Sequence, residues 1–261
     1  DCDAVIHLAC ISNDPSFELD PDLGRSINYD SFRPLVEISR DAGVHRFIYA
    51  SSSSVYGVKQ EERVTEDLEC EPLTDYSRYK ALCEQILAEY ESPEFTTVTL
   101  RPATVCGYSP RLRLDLTVNI LTNHAINNRH IRVFGGSQYR PNIHIADVTD
   151  LYQRLLEIPS DAISGRVWNA GYENLSVSSI AETVQSEVGE DVTIGVESTD
   201  DLRSYRITSD RIAKDIGFQP KHTIREAVQD LCQAFKEGKI PNSMDEPRYF
   251  NIRTMQNLNF H

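Results

Sequence analysis

Apolar residues recur along this chain in two rhythms, short unbroken runs and longer stretches where they return every three or four positions. The first run, Ala4-Val5-Ile6-His7-Leu8-Ala9, predicts an inner strand of a parallel sheet, since such strands are covered on both faces. A loop through Ser12, Asn13, Asp14 and Pro15 follows, and the pattern then predicts a helix over residues 28–42 closed by Gly43. Arg46-Phe47-Ile48-Tyr49-Ala50 is a second strand, ending in Ser51 to Ser54. Between Pro72 and Pro93, Tyr76, Tyr79, Cys83, Ile86, Leu87 and Tyr90 return at helical spacing. Residues 95–100, rich in threonine and β-branched side chains, predict a third strand. Strand, helix, strand, helix, strand is the order of right-handed βαβ units in a doubly wound parallel sheet.

Beyond Arg101-Pro102 the pattern loosens. It predicts helices over 116–127, 148–156 and 176–188, with Asp147 as the N-cap of the second. Strands are expected over 131–134, 167–170 and 192–196. Thr223 and Glu226 form a capping box for a helix that Gly238 ends, and the last twenty residues read as an irregular surface tail.

The 261 residues suit one large α/β domain with a smaller lobe. A net charge of -14 argues against nucleic acid or an anionic membrane as the main partner, while a few local arginines can still hold an anionic small molecule. No apolar run approaches the roughly 20 residues that span a bilayer, and Asp1-Cys2-Asp3 does not open a signal peptide. The six cysteines are scattered without metal-ligand spacing, so reduced thiols in the cytoplasm and no metal are expected.

The candidate chemistry centres on Asp75-Tyr76-Ser77-Arg78-Tyr79-Lys80. Tyr76 and Lys80 are four apart, so a helix sets them on one face. A nearby cation favours phenolate, which makes the pair a candidate general acid/base. Ligands of doubly wound sheets bind beyond the carboxyl ends of the strands, where Ser51 to Ser54 and Leu100-Arg101-Pro102-Ala103-Thr104 both end. A serine hydroxyl there can hold a substrate oxygen for proton transfer. Plainer readings compete elsewhere: His7 as a core histidine, Tyr79 and Cys106 as packing residues, and Arg203 as a partner of Asp200 or Asp201.

His-Leu-Ala, Ser-Ser-x-x-Val-Tyr-Gly, Tyr-x-x-x-Lys and Leu-Arg-Pro-x-x-Val-x-Gly stand here in that order, followed by Arg140-x-x-x-His144-Ile-Ala-Asp147 and Arg203-Ser-Tyr205. Together they resemble the extended short-chain dehydrogenase/reductases, and within these the NAD-dependent nucleotide-sugar epimerases and dehydratases. The resemblance implies a Rossmann-type cofactor domain over 1–110 and 143–171, and an α+β substrate lobe over 111–142 and 172–261. It implies Ser52, Tyr76 and Lys80 as catalytic residues. Leu8, Ala9, Asn28, Tyr76, Lys80, Pro102, Ala103 and Val105 would then serve the cofactor, with NAD expected and NADP open. Ser53, Ser54, Thr104, Asn119, Arg140 and Arg203 would meet a nucleotide-diphosphate sugar. A homodimer, paired through the helix after Asn28 and the helix of Tyr76, is the family expectation.

Three departures qualify that likeness. The opening Gly-x-x-Gly-x-x-Gly of the family, which seats the pyrophosphate, is not in this sequence, so the chain is expected to be N-terminally incomplete. Ser53 and Ser54 occupy the places of the Asp-Glu pair of 4,6-dehydratases, and neither hydroxyl can do that acid/base work. Thr104 and Cys106 replace the asparagine and tyrosine of many 4-epimerases. An epimerase acting by transient hydride abstraction is the leading expectation. A ketoreductase, dehydrogenase or dehydratase on the same scaffold is the alternative, as is a non-catalytic binding or scaffold protein.

Overall fold

The computed structural model describes residues 2–199 and 204–258. Strands β1 (Ala4–His7), β2 (Arg46–Ala50), β3 (Thr96–Pro102) and, much later in the chain, Arg166–Ala170 form one parallel sheet in that order. β3 is buried over six of its seven residues, as an inner strand must be. β1 departs from expectation. It ends at His7, pairs only with β2 among the described residues, and is half-buried throughout, so it borders the sheet that these residues form.

Helices pack on both faces of this sheet. After β1 come α1 (Asp14–Glu18) and α2 (Pro21–Arg25), and then a π-turn (Ser26–Asp30) leads into α3 (Phe32–Asp41). The single helix expected over 28–42 is thus broken at its start. The break turns Asn28 inward, where it is 6% exposed. α4 (Asp75–Ala88) begins at a reciprocal cap, Thr74 with Ser77, which satisfies two of the helix's first N–H groups. Its buried face carries Ser77 and Lys80 beside Cys83, Ile86 and Leu87, so its first half is buried for polar reasons and its second half for apolar ones.

The remaining elements build two further small sheets. β4 (Thr104–Cys106) leads through α5 (Thr117–Asn128) and β5 (His130–Phe134) to β6 (Tyr139–His144). α6 (Ile145–Glu157) and α7 (Ser160–Ile163) precede β7 (Arg166–Ala170), the fourth strand of the large sheet. β8 (Glu173–Ser176), α8 (Val177–Val188), β9 (Thr193–Glu197), α9 (Asp210–Ile216) and α10 (Ile224–Lys236) follow. β6 joins β4 in parallel and β8 in antiparallel fashion, while β5 pairs with β9. The Thr223–Glu226 capping box is present on α10. The last segment is more ordered than the sequence suggested. A short 3-10 turn (Pro247–Tyr249) and α11 (Asn251–Asn257) close it, and Tyr249 packs with Leu112, Leu114 and Leu231.

One apolar core surrounds Trp168 and joins Ile48, Val98 and Leu100 to Ile207, Ile212 and Phe218 from late in the chain. A second lies between α5, α8 and α10. Asp147 does not cap α6. His144 does so, its Nδ1 accepting from the Ala146 N–H at 3.1 Å, because the helix begins three residues earlier than expected. Asp147 instead accepts from the backbone N–H groups of Lys221 and His222 at 3.0 and 2.9 Å.

His7 sits among Phe32, Phe47 and Tyr49, with ring centres 5.5 to 6.0 Å away. Burial, with the charge of Lys80, pushes it down to about 4 from 6.5. The unfolded chain therefore binds this proton first as pH falls, and stability is lost across the window from 6.5 to about 4. Replacing His7 by Phe keeps the ring contacts and removes that loss. The fall in Tm between those pH values should be smaller in His7→Phe than in the wild type, and equal falls would contradict the assignment.

Candidate active site

Neighbouring strands of a parallel sheet can finish at one level, and here they do. Ala50 stands in register with Leu100, and Pro102 with Ala170. The residues that follow β2 and those that end β3 therefore emerge along a single rim. A cleft of about 560 Å³ opens there. Ser52, Ser53, Ser54 and Tyr76 line it, and so do Pro102, Ala103, Thr104 and Val105. Leu8, 57% exposed just past β1, also reaches it, as do Asn119 and Arg140. Ala9 is exposed next to Leu8, whereas Asn28 and Lys80 lie behind the lining. Arg203 falls outside the described residues.

Ser52 leaves β2 in extended backbone and caps a 3-10 turn (Ser53–Tyr56), its Oγ accepting from Ser54 N–H at 3.1 Å and Ser54 Oγ–H at 2.8 Å. Its hydroxyl also interacts with the Tyr76 phenol and stabilises the phenolate. Burial nevertheless raises the Tyr76 pKa well above the usual phenol value, and Cys10 and Asp14 push it the same way, against Arg113 and Ser52. The expected depression by Lys80 is not what governs Tyr76. Lys80 Nζ stands 5.9 Å from the centre of the Tyr76 ring and 5.0 Å from that of Tyr49, and it donates to the Ala50 carbonyl at 2.6 Å. The lysine thus ties α4 to the end of β2 while remaining beside the phenol.

Other candidates hold loops in shape. Asn28 accepts from Ile11 N–H at 2.8 Å and donates to Ile11 C=O at 2.9 Å, pinning the segment after β1 as a surrogate strand partner would. Asn119 accepts from Gly107 N–H at 3.1 Å and donates to Arg113 C=O at 2.8 Å, so its amide shapes the loop that borders the cleft. Gly107, at φ 101°, passes so close to His144 that a Cβ would lie 2.9 Å from its ring. Ser53 Oγ lies 3.3 Å from Tyr205 OH, and Arg140 donates to the Tyr139 carbonyl at 3.3 Å.

Two buried residues escaped the sequence reading. Glu84 takes three N–H contacts from Arg101, at 2.7, 3.1 and 3.2 Å, together with the hydroxyl of Ser51. Both charged side chains are 9% exposed. Burial opposes the charge of Arg101, but the hydrogen bonds and field of Glu84 outweigh it, and the guanidinium pKa is raised. The signal was available, since Glu84 continues the Tyr76–Lys80 spacing and Arg101 stands inside the Leu-Arg-Pro motif. Ser12, Asp14, Arg111, Arg113 and Asp115 also line the cleft without having been singled out.

Residues 1–171 match the NAD dependent epimerase/dehydratase family. The chain belongs to that family. It is 26% identical to a UDP-glucose 4-epimerase of Lactobacillus helveticus over 251 residues, covering 88% of this chain and 74% of that enzyme. Its fold follows a UDP-glucuronic acid 4-epimerase from Bacillus cereus, solved with UDP-glucuronic acid and NAD, with a TM-score of 0.80. That match is 25% identical and covers 90% of this chain and 76% of the other. RMD from Pseudomonas aeruginosa, solved with NADPH, shares the fold with a TM-score of 0.81 at 21% identity, over 90% of this chain and 82% of RMD. This epimerase/dehydratase family chain therefore has the Rossmann-like α/β fold of enzymes. Among the described residues, no helix is long and apolar enough to cross a membrane, and no cluster of ligands could hold a metal ion.

The loop that Asn28 pins is the near wall of the cleft. Changing Asn28 to Ala removes two hydrogen bonds from the half-buried Ile11 backbone, which together cost about 1–3 kcal/mol. Urea denaturation should report that loss of stability, and an unchanged midpoint would show that the loop holds itself.

Proposed function

We propose that this chain is a nucleotide-sugar epimerase that works through transient oxidation of the sugar. The observation that carries the reading is the meeting of Ser52 and Tyr76 on one cleft at the sheet's rim, with Lys80 anchored directly behind them. Tyr76, having first given up its own proton to become the phenolate, takes the proton of a sugar hydroxyl, and Ser52 holds the sugar oxygen while it loses that proton. Lys80 keeps a positive charge near the phenol. NAD, when bound, supplies a reversible acceptor for the hydride of the same carbon. With NAD bound, return of that hydride to the opposite face would invert the carbon. Most of the rate comes from holding these groups in register.

The residues fit the nicotinamide end of the cofactor. Leu8 offers an exposed apolar side chain at the rim, Pro102, Ala103 and Val105 line an apolar edge, and Tyr76, with Lys80 buried behind it, would face the ribose. Asn28 contributes by ordering the loop. The nucleotide-diphosphate sugar lies on the other part of the cleft, where Ser53, Ser54 and Thr104 meet the sugar and Arg140 takes the phosphates. Asn119 shapes that end through the Gly107–Arg113 loop. Relatives bearing the names UDP-glucose 4-epimerase and UDP-glucuronic acid 4-epimerase support this substrate class. Hydroxyls at Ser53 and Ser54 favour epimerisation over 4,6-dehydration.

The same reading divides the chain into a cofactor part, 1–110 with 143–171, and a substrate part, 111–142 with 172–261. It also pairs two copies through α3 and α4, where Ile38 is 67% exposed.

Tyr76→Phe should remove turnover by at least about 100-fold, the scale of a lost general acid/base, while calorimetry still finds nucleotide-sugar binding. Turnover at the wild-type rate would refute the role. Absorbance at the reduced-nicotinamide band separates the reactions: epimerisation leaves it flat over many turnovers, whereas stoichiometric consumption of reductant would make the enzyme a ketoreductase.

A further inference from the structure

Tyr76, Lys80 and Glu84 follow one another at four-residue steps, in line along the buried side of α4. Each addresses the sheet's rim at a different point. Lys80 bonds Ala50 C=O at 2.6 Å. Glu84 accepts from Ser51, one peptide bond from Ser52, and from Arg101, one peptide bond from Pro102. Arg101 extends the contact by donating from Nη1 to Tyr56 OH at 2.8 Å, and Tyr56 OH donates to Asn169 Oδ1 at 2.8 Å. A single carboxylate thereby joins α4 to the ends of β2 and β3, with β7 reached through Tyr56.

We propose that the Glu84–Arg101 pair is a positioning device for the proton-transfer site. It sets the rotation and height of α4 against the two strand ends, and so the separation of Tyr76 from Ser52. Stability alone does not require a charged pair here, because apolar side chains of similar volume fill such buried sites equally well. What they lack is direction: a guanidinium and carboxylate in a forked contact fix angle as well as distance. This role rests on Tyr76 being the acid/base, and the experiment separates the two claims.

The double variant Glu84→Met with Arg101→Met removes both charges together and leaves neither ion stranded. In the full chain with NAD and its nucleotide sugar, we expect Tm and KM close to wild type and kcat lower by about 100-fold, the size of a small misplacement of reacting groups. A stable double variant with wild-type kcat overturns the proposal. Should that variant not fold, Ser51→Ala decides, since it takes a single hydroxyl from the same carboxylate: a kcat loss with unchanged KM supports positioning, and an unchanged kcat overturns it. Tyr76→Phe is measured beside them. If it keeps turnover, the acid/base reading itself fails. If it loses turnover while the Met pair or Ser51→Ala keeps it, only the positioning role fails.

Discussion

The carboxylate of Glu84 ties one helix to the ends of two neighbouring strands. It lies inside the protein, where a bare charge would be intolerable, and it is neutralised by Arg101 from β3 and hydrogen-bonded by Ser51 just past β2. That arrangement is possible only because β2 and β3 are parallel and in register, which brings Ser51 beside Arg101 near the end of β3. Ser51 N–H also donates to Leu100 C=O at 2.8 Å, which keeps the two chain ends level one residue beyond the strand. A helix resting on a sheet by apolar contact alone can slide or roll. α4 is held against that by two polar contacts, Lys80 on Ala50 and Glu84 on Ser51 and Arg101, four residues apart on the same face.

That anchoring has an electrostatic consequence. Lys80 directs its ammonium at a backbone carbonyl, and the Tyr76 oxygen is left to burial, to Asp14 and Cys10 on one side, and to Arg113 and Ser52 on the other. Burial wins, and the phenol holds its proton tightly. A group that both takes and returns a proton needs its affinity brought nearer the working pH. Ser52 already favours the phenolate, and Lys80 Nζ stands 5.9 Å from the ring centre.

The βαβ order was legible because parallel strands and their helices impose opposite periodicities, and β2, β3 and α4 fall close to where the pattern put them. What failed were readings that depend on neighbours. The run from Ala4 to Ala9 has an inner strand's composition, yet β1 is half-buried and paired on one side among the described residues, and composition carries no record of that. Asp147 has a cap's chemistry, but the chain turned helical at Ile145, leaving its carboxylate for Lys221 and His222. Asn28 and Asn119 both hold loop backbone beside the cleft, which spacing alone did not reveal. An asparagine side chain mimics a peptide group, so it serves loop backbone as readily as ligand, and spacing does not distinguish the two. Glu84 and Arg101 hid in plain view because buried ion pairs resemble surface ones until burial is known.

The two sides of the cleft are built by different means, and this bears on what each can become. The side carrying Ser52 and Tyr76 hangs on strand register and a buried ion pair, where small changes propagate into the reaction geometry. The other side is assembled from loops tied by side chain to backbone. Arg113 donates to Asp115 at 2.9 Å and to Ser12 at 3.1 Å, Asp115 accepts from Asn251 N–H at 3.0 Å, and Asn251 reaches back to Ser12 Oγ at 2.9 Å. Such a wall can be rebuilt residue by residue without disturbing the sheet. The Ser52–Tyr76 side of the cleft is thereby tied to the sheet, whereas the side of Arg111, Arg113 and Asp115 is tied to loops that α11 braces.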